Sequence, residues 1–293
     1  MSATASTPPT PGANASPEPR MASATARLVS NEVVRGGCHL LRFDVPSSVP
    51  EAAPGQFAML STRHADFPLL PRPFSILGWQ RGDDGSQQAE FLIMPVGRGS
   101  SLLCSLQPGE EARLVGPLGH SIDEQLPQND IVAVAGGYGV APFLFLIERW
   151  ARRGDPRAQS SLVIFGARTA DRLSLADRLS NAGCRVQLCT DDGSAGFTGR
   201  VHEALRGHLA QHAAQLVLSC GPEPMMEAVG DVSREAGVAA RASLETVMGC
   251  GYAVCNGCAV AVACDTEADG HTYELACREG TLFNEDRLQW TLL

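Results

Sequence analysis

The sequence predicts a multidomain protein: an antiparallel β-barrel, then a doubly wound α/β domain, then a small C-terminal hairpin domain. Short β-prone segments broken by Gly and Pro fill residues 25–126, which is typical of a small barrel. Apolar strands alternate with helical segments over 127–242, as in a parallel sheet. Cysteines are concentrated in 243–293, and 293 residues leave room for about two ordinary domains plus a small third one.

The composition is that of a chain with substantial apolar cores, because 44% of the residues are hydrophobic and 19% are charged. The formal net charge is −9 and basic runs are absent, which argues against binding to nucleic acid. No apolar run approaches the roughly 18 residues that a membrane-spanning helix needs. We therefore expect no nucleic-acid partner and no membrane segment.

Residues 1–24 are mostly Ala, Ser, Thr and Pro and lack the apolar core of a secretory signal. They predict a disordered lead, with Met21 as a candidate start. Ten cysteines would suit a disulfide scaffold only in a shorter secreted chain, and four of them belong to a C-terminal motif. We therefore expect the protein in the reducing cytoplasm.

Five β-prone runs predict the strands of the barrel, since little helical periodicity lies between them. They are Leu40–Val45, Gln56–Leu60, Phe74–Leu77, Glu90–Met94 and Ala112–Val115. Arg72–Ser75 adds a guanidinium fork that could bind a pyrophosphate and a hydroxyl that could reach a ring nitrogen. The alternative is an ordinary strand start, which Pro favours. The Gly97–Ser101 turn could bind an anion at a helix start or be only a capped turn.

The second domain opens with the apolar run Asp130–Ala135, of the kind that is buried on both faces of a parallel sheet. The glycine-rich turn Gly136–Pro142 and a helix over Phe143–Arg153 follow it. Strand, glycine turn and helix form the context in which a pyrophosphate approaches the backbone at a helix N-terminus. The turn is not a complete G-x-G-x-x-G, so by itself it leaves a phosphate site undecided.

Two later loops follow predicted strands and should lie at the carboxyl edge of the sheet, where ligands bind. In Thr190–Ser194 an Asp could accept from ribose hydroxyls, although Asp-Asp-Gly is more often a solvated turn. In Cys220–Met225 the thiol could face a nicotinamide or simply be buried at a strand end. Arg168 could meet a 2′-phosphate or be solvated, so NAD and NADP both remain open.

Cys250, Cys255 and Cys258 follow a C-x4-C-x2-C pattern, and with a later fourth cysteine this is the plant-type spacing for a [2Fe-2S] cluster. Neighbouring glycines permit the tight turn and the N–H to sulfur contacts that such a loop needs. Zinc is the alternative, but it usually takes two C-x2-C pairs and only one is present. Disulfides or free thiols are a further alternative. Cys277 is favoured over Cys264 as fourth ligand because a predicted hairpin, Ala259–Ala263 with Thr272–Ala276, returns it to the loop.

Over about residues 27–290 this order of motifs resembles the ferredoxin-NADP reductase superfamily. Within it, the chain is most similar to electron-transfer subunits of NAD-dependent (class 1B) dihydroorotate dehydrogenase. The resemblance implies that FAD binds at Arg72, Pro73, Phe74, Ser75, Leu92, Ile93, Met94, Gly99 and Ser100. It implies NAD at Gly136, Gly137, Gly139, Asp191, Asp192, Gly193, Cys220, Gly221 and Pro222. It also implies a [2Fe-2S] cluster on Cys250, Cys255, Cys258 and Cys277.

Three positions depart from that family's usual pattern. Ala135 stands where a Gly is usual, and Thr281 follows Gly280 where a Pro is usual. The backbone can tolerate both changes. Val247 replaces a usual Arg, which changes either the edge of the cluster or the contact with a partner.

The three implied cofactors predict an order of electron transfer. Nicotinamide exchanges a hydride and a [2Fe-2S] cluster takes one electron, whereas flavin does both, so FAD stands between them. The resemblance implies a heterotetramer with an FMN-containing dihydroorotate dehydrogenase catalytic subunit, with electrons passing from FMN through the cluster and FAD to NAD in pyrimidine biosynthesis. The alternatives are an NAD(P)H reductase subunit for an oxygenase or hydrogenase-type complex and a zinc-stapled binding module with a degenerate nucleotide fold.

Overall fold

The computed structural model of the chain describes residues 21–62 and 70–293. Residues 1–20 of the predicted lead lie outside the described residues. The first strand, β1, begins at Ala22, so the barrel starts within the range 1–24 that the sequence assigned to the lead.

The first domain is a seven-stranded antiparallel sheet in the order β4-β3-β7-β1-β2-β6-β5. The edge strands β4 and β5 are separated by only Ile76 and Leu77, so the sheet closes on itself as a barrel. One short helix, α1, lies between β6 and β7. The bounds are β1 Ala22–Val33, β2 His39–Val45, β3 Phe57–Thr62, β4 Arg72–Ser75, β5 Gly78–Arg81, β6 Gln87–Ile93, α1 Arg98–Cys104 and β7 Glu111–Leu118.

The barrel core follows the two-residue period of its strands. In β2, Leu41, Phe43 and Val45 point inward and are buried with residues of β6. Phe43 meets Phe91 edge to face at 6.1 Å between ring centroids. The five predicted runs therefore mark real strands, whereas β1 and β5 carry weaker patterns and were not predicted.

The second domain has a parallel sheet in the order β11-β10-β9-β8-β12-β13. The chain moves outward from β8 to β11 and then returns to the other side of β8, which opens a crevice between β8 and β12 at their carboxyl ends. The strands are β8 Ile131–Gly136, β9 Leu162–Ala167, β10 Arg185–Thr190, β11 Phe197–Thr198, β12 Leu216–Cys220 and β13 Ala240–Ser243. The helices are α2 Ala141–Arg152, α3 Arg157–Ser160, α4 Ala176–Asn181, α5 Val201–Leu209 and α6 Glu223–Glu235.

The C-terminal part is the predicted hairpin, β14 Ala259–Ala263 and β15 His271–Leu275, followed by α7 Ala276–Glu279. The last strand, β16 Leu282–Asn284, pairs antiparallel with β13 and so belongs to the sheet of the second domain. The sheet of the second domain thus includes a strand from beyond the predicted boundary at residue 243. The hairpin also packs on barrel residues Phe57 and Met59 in one shared apolar cluster.

In the ranges 21–62 and 70–293, the structure contains no helix with the length and apolarity needed to span a bilayer.

Candidate functional site

Two cavities meet where the barrel contacts the parallel sheet. The barrel cavity, of about 420 Å³, is bounded by β4, the end of β6, the start of α1 and residues 244–248. The nucleotide cavity, of about 660 Å³, lies at the carboxyl ends of the parallel strands. Met94, Tyr138 and Glu245 line both cavities, so ligands in the two would be neighbours.

Most of the residues predicted for FAD line the barrel cavity. The side chain of Ile93 does not, because alternate residues of β6 face opposite sides and Ile93 is buried in the barrel core. The Ser100 hydroxyl caps its own turn, accepting from the Gly97 amide at 3.1 Å and donating to the Gly97 carbonyl at 3.0 Å. The predicted residues that line the cavity are Arg72, Pro73, Phe74, Ser75, Leu92, Met94, Gly99 and Ser100.

Arg72 is held in place at the barrel cavity by backbone carbonyls of the two residues before it. Its Nη1 group donates to the Leu70 carbonyl at 2.9 Å and to the Pro71 carbonyl at 3.3 Å. Because a guanidinium has five N–H donors in a fixed plane, a side chain anchored in this way still has donors to offer a phosphate.

The residues predicted for the nucleotide divide into two groups. One group lines the nucleotide cavity: Gly136, Gly137, Asp191, Gly221 and Pro222.

The other group, Gly139, Asp192, Gly193 and Cys220, lies outside that lining. Asp192 accepts from the amide of Ser194 at 3.0 Å and from its hydroxyl at 2.6 Å, which is the predicted turn role. Cys220 is 1% exposed, and burial raises the pKa of its thiol. A Cβ on Gly139 would lie 2.9 Å from the Gly221 nitrogen, so this glycine lets the loop pass close to the end of β12. These residues support the loops that carry the lining group.

Three arginines and one histidine outnumber the acidic side chains at the nucleotide cavity. Arg168, Arg172, Arg200 and His202 line it, and its acidic lining residues are Asp191 and Glu245. This arrangement suits phosphate groups, which pair with guanidinium forks. Sequence reasoning found only Arg168. Arg200 could have been found from its position directly before α5, on a loop at the carboxyl edge of the sheet.

Two of the three residues that line both cavities, Tyr138 and Glu245, were not predicted as site residues, whereas Met94 was. Tyr138 lies inside the glycine turn and Glu245 two residues after β13, and both face the junction. Glu245 is open to the cavities but surrounded by protein, and desolvation raises the pKa of its carboxyl group. Desolvation and the negative charge of Glu245 raise the pKa of the Tyr138 phenol. In the sequence, the feature that could have indicated Tyr138 as a site residue is an aromatic side chain inside a glycine-rich turn.

The four predicted cysteines lie together in two pairs. Cys258 and Cys277 are buried with their sulfurs 3.2 Å apart. The hairpin pairs Ala259 with Leu275, so Cys258, just before the first strand, lies close to Cys277, two residues after the second. Cys250 is half-buried, and its sulfur interacts with the exposed Cys255 side chain. Cys264 lies instead at the far, turn end of the hairpin, where its sulfur is 3.1 Å from the Thr266 hydroxyl.

Backbone N–H groups of the cysteine loop point at these sulfurs. The amides of Tyr252 and Val254 each donate to Cys250 Sγ at 3.4 Å, and Ala253 donates to Cys277 Sγ at 3.1 Å. Left-handed backbone at Ala253, with φ 60°, makes this path possible. Burial opposes ionisation of Cys250, but the donated hydrogen bonds outweigh it and lower the pKa of its thiol to about 7. The loop therefore stabilises the Cys250 thiolate, whereas burial and the neighbouring Cys258 raise the pKa of the Cys277 thiol to about 12.

The cysteine loop adjoins the barrel cavity. Met248 lines that cavity and precedes Cys250 by only two residues. A Cβ on Gly251 would lie 2.6 Å from Met59 Cγ of β3, so the loop packs directly on the barrel. Nucleotide cavity, barrel cavity and cysteine loop thus follow one another in space.

Comparison with known proteins places this geometry in a family. Residues 133–231 match the family described as "Oxidoreductase NAD-binding domain". The chain is 31% identical over 265 residues to the dihydroorotate dehydrogenase B (NAD(+)) electron transfer subunit of Desulforamulus reducens, covering 90% of this chain and 97% of that protein. It is 32% identical over 238 residues to the probable counterpart from Methanocaldococcus jannaschii, covering 81% of each.

Solved structures show the same fold. An NADH-dependent reduced ferredoxin-NADP oxidoreductase superposes with a TM-score of 0.73 at 24% identity, over 92% of this chain and 91% of that one. A ferredoxin NADP+ reductase from Neisseria gonorrhoeae, with bound FAD and NADP, superposes with a TM-score of 0.60 at 20% identity, over 73% of this chain and 92% of that one. From its curated relatives, the chain belongs to the family of dihydroorotate dehydrogenase B (NAD(+)) electron transfer subunits and is an oxidoreductase component.

Proposed function

We propose that this chain carries electrons between a nicotinamide in the nucleotide cavity, FAD in the barrel cavity and a [2Fe-2S] cluster on the cysteine loop. The supporting observation is the sequence of sites in space: the two cavities share Tyr138 and Glu245, and the barrel cavity leads through Met248 to Cys250. When bound, FAD supplies the conversion between hydride transfer and single-electron transfer. The chain must hold the three groups in that order.

The nucleotide cavity has the residues needed to hold a dinucleotide. Gly136 and Gly137 would let a pyrophosphate approach the backbone. The lining arginines Arg168, Arg172 and Arg200 would pair with its negative charges. Asp191 would accept from ribose hydroxyls and repel a 2′-phosphate. We therefore propose NAD rather than NADP, although Arg168 lines the same cavity.

The barrel cavity fits a flavin nucleotide by the same reasoning. The anchored Arg72 would pair with the pyrophosphate, while Ser75 offers a hydroxyl and Phe74 an apolar face to the ring system. Thr246 has a buried hydroxyl without a hydrogen-bond partner in the described residues, and it lies in the segment that leads to the cysteine loop. Such an atom needs a partner, and a ligand in this cavity could supply one.

The cysteine loop fits a two-iron cluster better than a single zinc ion. The four thiols form two pairs, and each pair could bind one iron of a two-iron cluster. Backbone amides donate hydrogen bonds to the sulfurs, as is usual around such clusters. Cys250, Cys255, Cys258 and Cys277 would be the ligands.

The surface around the cysteine loop suits a protein partner. Val254, which precedes the exposed Cys255, is 73% exposed, and Val247 at the barrel cavity is 87% exposed. An apolar rim beside the outermost cluster ligand would let a partner exclude water along the electron path. We propose that the partner is the FMN-containing catalytic subunit of a dihydroorotate dehydrogenase, in a heterotetramer that acts in pyrimidine biosynthesis in the cytoplasm. Val247 in place of the usual Arg is the observation that favours a second candidate, a reductase subunit for another redox partner.

The test is reconstitution under anaerobic conditions. We expect the purified chain to contain iron, acid-labile sulfide and FAD, and to reduce the FMN of an added dihydroorotate dehydrogenase subunit with NADH as donor. Reduction of an oxygenase or hydrogenase component but not of that subunit would support the second candidate. A colourless zinc protein would contradict both.

A further inference from the structure

A buried group of ion pairs joins the barrel to the nucleotide domain. Its centre is Glu90 on β6, which is only 4% exposed. The same strand carries Leu92, and Met94 follows its end, so the residues next to Glu90 form a wall of the barrel cavity. Glu90 is therefore on the same strand as a residue that lines the barrel cavity.

Two arginines from different domains bind Glu90. Arg42 of the neighbouring strand β2 donates through Nε at 2.6 Å, and Arg178 of α4 donates through Nη2 at 2.9 Å. Arg178 also forms a bidentate pair with Glu148, with Nε and Nη2 each 2.7 Å from a carboxylate oxygen. Glu148 lies on α2, the helix that continues directly from the glycine turn of the nucleotide cavity. One guanidinium thus connects the flavin-side strand to the nucleotide-side helix.

The chain just before α4 makes a second connection between the domains. The Ser174 hydroxyl donates to the Arg35 carbonyl in the turn between β1 and β2. In the same turn, a Cβ on Gly36 would lie 3.1 Å from the Arg172 Cα. Gly36, Arg172 and Ser174 all line the nucleotide cavity. The segment 170–178 is therefore anchored to the barrel at both ends.

Glu90 and Arg178 are charged at neutral pH. Burial opposes ionisation of Glu90, but Arg42 and Arg178 outweigh it and hold the pKa of Glu90 below its ordinary value. Burial likewise opposes the charge of Arg178, while Glu148 and Glu90 outweigh it and raise the pKa of its guanidinium. Charged, hydrogen-bonded groups in a poorly solvated place hold a defined geometry, because each lost contact leaves a buried charge unpaired.

We propose that Arg178 is a positioning residue that sets the distance and angle between the nucleotide cavity and the barrel cavity. The inference rests on the proposed function, since hydride transfer requires nicotinamide C4 and flavin N5 within van der Waals reach. A displacement of about 1 Å can slow such a step about 100-fold, whereas Arg178 itself lines neither cavity. Loss of the Arg178 ion pairs should therefore slow hydride transfer more than it weakens the binding of FAD or NAD.

The test compares Arg178→Met with Arg206→Met in the full chain. Arg206 makes an ion pair at 3.0 Å with Glu235, exposed and within the nucleotide domain, so it is a matched control for loss of one arginine. For Arg178→Met we expect anaerobic reduction of bound FAD by NADH to slow about ten- to 100-fold. The isotope effect with 4-deuterated NADH should rise, while FAD content and the NAD Kd stay within about twofold of wild type. Arg206→Met should match wild type.

A readout independent of turnover is amide hydrogen exchange, which should become faster in β6 and α4 of Arg178→Met and stay unchanged in the control. If Arg178→Met does not fold, Arg178→Lys keeps the charge but loses the bidentate geometry and should show the same pattern more weakly. A wild-type hydride-transfer rate in either folded variant, or a rate loss fully explained by weaker NAD binding, would overturn the proposal. A wild-type chain that NADH does not reduce would instead overturn the proposed function. Hydrogen exchange would still test whether Arg178 holds β6 and α4 together.

Discussion

At the scale of single residues, the proposed cluster site depends on which thiols the backbone supports. Amide groups donate to Cys250 and Cys277, whereas Cys264 at the hairpin turn contacts the Thr266 hydroxyl. The spacing of three cysteines and the predicted hairpin before Cys277 led to the prediction of Cys250, Cys255, Cys258 and Cys277 as ligands. These features could not show which N–H groups serve them, since that depends on the backbone angles of the loop.

Replacing Cys277 with Ser should therefore abolish the cluster, because a hydroxyl is a poor iron ligand and the site loses a buried thiolate. We expect iron to fall below half of the wild-type content per chain, with FAD content retained. Cys264→Ser is the matched control and should keep full iron content. Iron and sulfide analysis with electron paramagnetic resonance of the reduced protein would measure both, and iron loss from the control alone would contradict the assignment.

Arg72 offers a second prediction at this scale. Arg72→Met should weaken FAD binding about tenfold or more, because a charge-assisted hydrogen bond contributes about 1.5–3 kcal/mol. Arg27→Met on β1 is the control, since Arg27 is exposed and its pair with Glu111 is long at 3.9 Å. Flavin fluorescence titration of the apoprotein would give both affinities. Equal affinities in the two variants would remove Arg72 from the flavin site.

At the scale of elements, strands with clear alternation were predictable and pairings between distant segments were not. β2 and β6 carry strong apolar periods, whereas β1 begins with small and polar residues and β5 has four residues. β16 is a strand only because it pairs with β13 about forty residues earlier, and no local pattern shows this. Likewise, Tyr138 and Glu245 come from separate elements that meet only in the folded protein.

The close contact between the glycine turn and the end of β12 leads to a prediction at this scale. In Gly139→Ala, the new Cβ would press on the backbone of Cys220 and Gly221 and displace the turn from the sheet. We expect a lower Tm and NAD binding at least about fivefold weaker, because several backbone contacts to the dinucleotide shift together. Gly207→Ala on α5 meets no atom within 4 Å and should raise stability by about 0.5–1 kcal/mol. Thermal unfolding and calorimetric NAD titration measure both, and a neutral Gly139→Ala would contradict the packing argument.

At the scale of the whole molecule, the three parts are joined by shared apolar packing and by specific polar and strand contacts. The Glu90 group joins barrel and nucleotide domain, β16 ties the hairpin region to the parallel sheet, and Met59 of the barrel packs on the cysteine loop. The order of the domains could be predicted from the sequence. Their relative placement could not, because it depends on contacts between residues far apart in the chain, both the apolar packing between domains and the ion pairs of residues 42, 90, 148 and 178.

The Glu90 group also predicts a pH dependence of stability. The pKa of Glu90 is lower in the folded protein than its ordinary value of 4.5, so ionised Glu90 stabilises the fold above about pH 4.5. This contribution is lost as the pH falls through the folded-state pKa. Glu90→Gln leaves Arg42 and Arg178 partly unpaired and should lower the free energy of unfolding by about 3–5 kcal/mol at pH 7.

The difference between Glu90→Gln and wild type should shrink as the pH falls below about 4.5. Chemical denaturation of both proteins between pH 7 and pH 3 would measure it. A difference that stays constant over this range would mean that the charge of Glu90 does not stabilise the fold.

The central claim is that one chain converts between hydride and single-electron transfer through adjoining sites. An anaerobic titration of the full chain with a strong one-electron reductant, followed by absorption and electron paramagnetic resonance, tests it most directly. We predict uptake of about three electrons per chain, two by FAD and one by the cluster, and rapid reduction of the same FAD by NADH. Uptake of two electrons or fewer by freshly isolated, flavin-containing protein, or no reduction by NADH, would contradict the account.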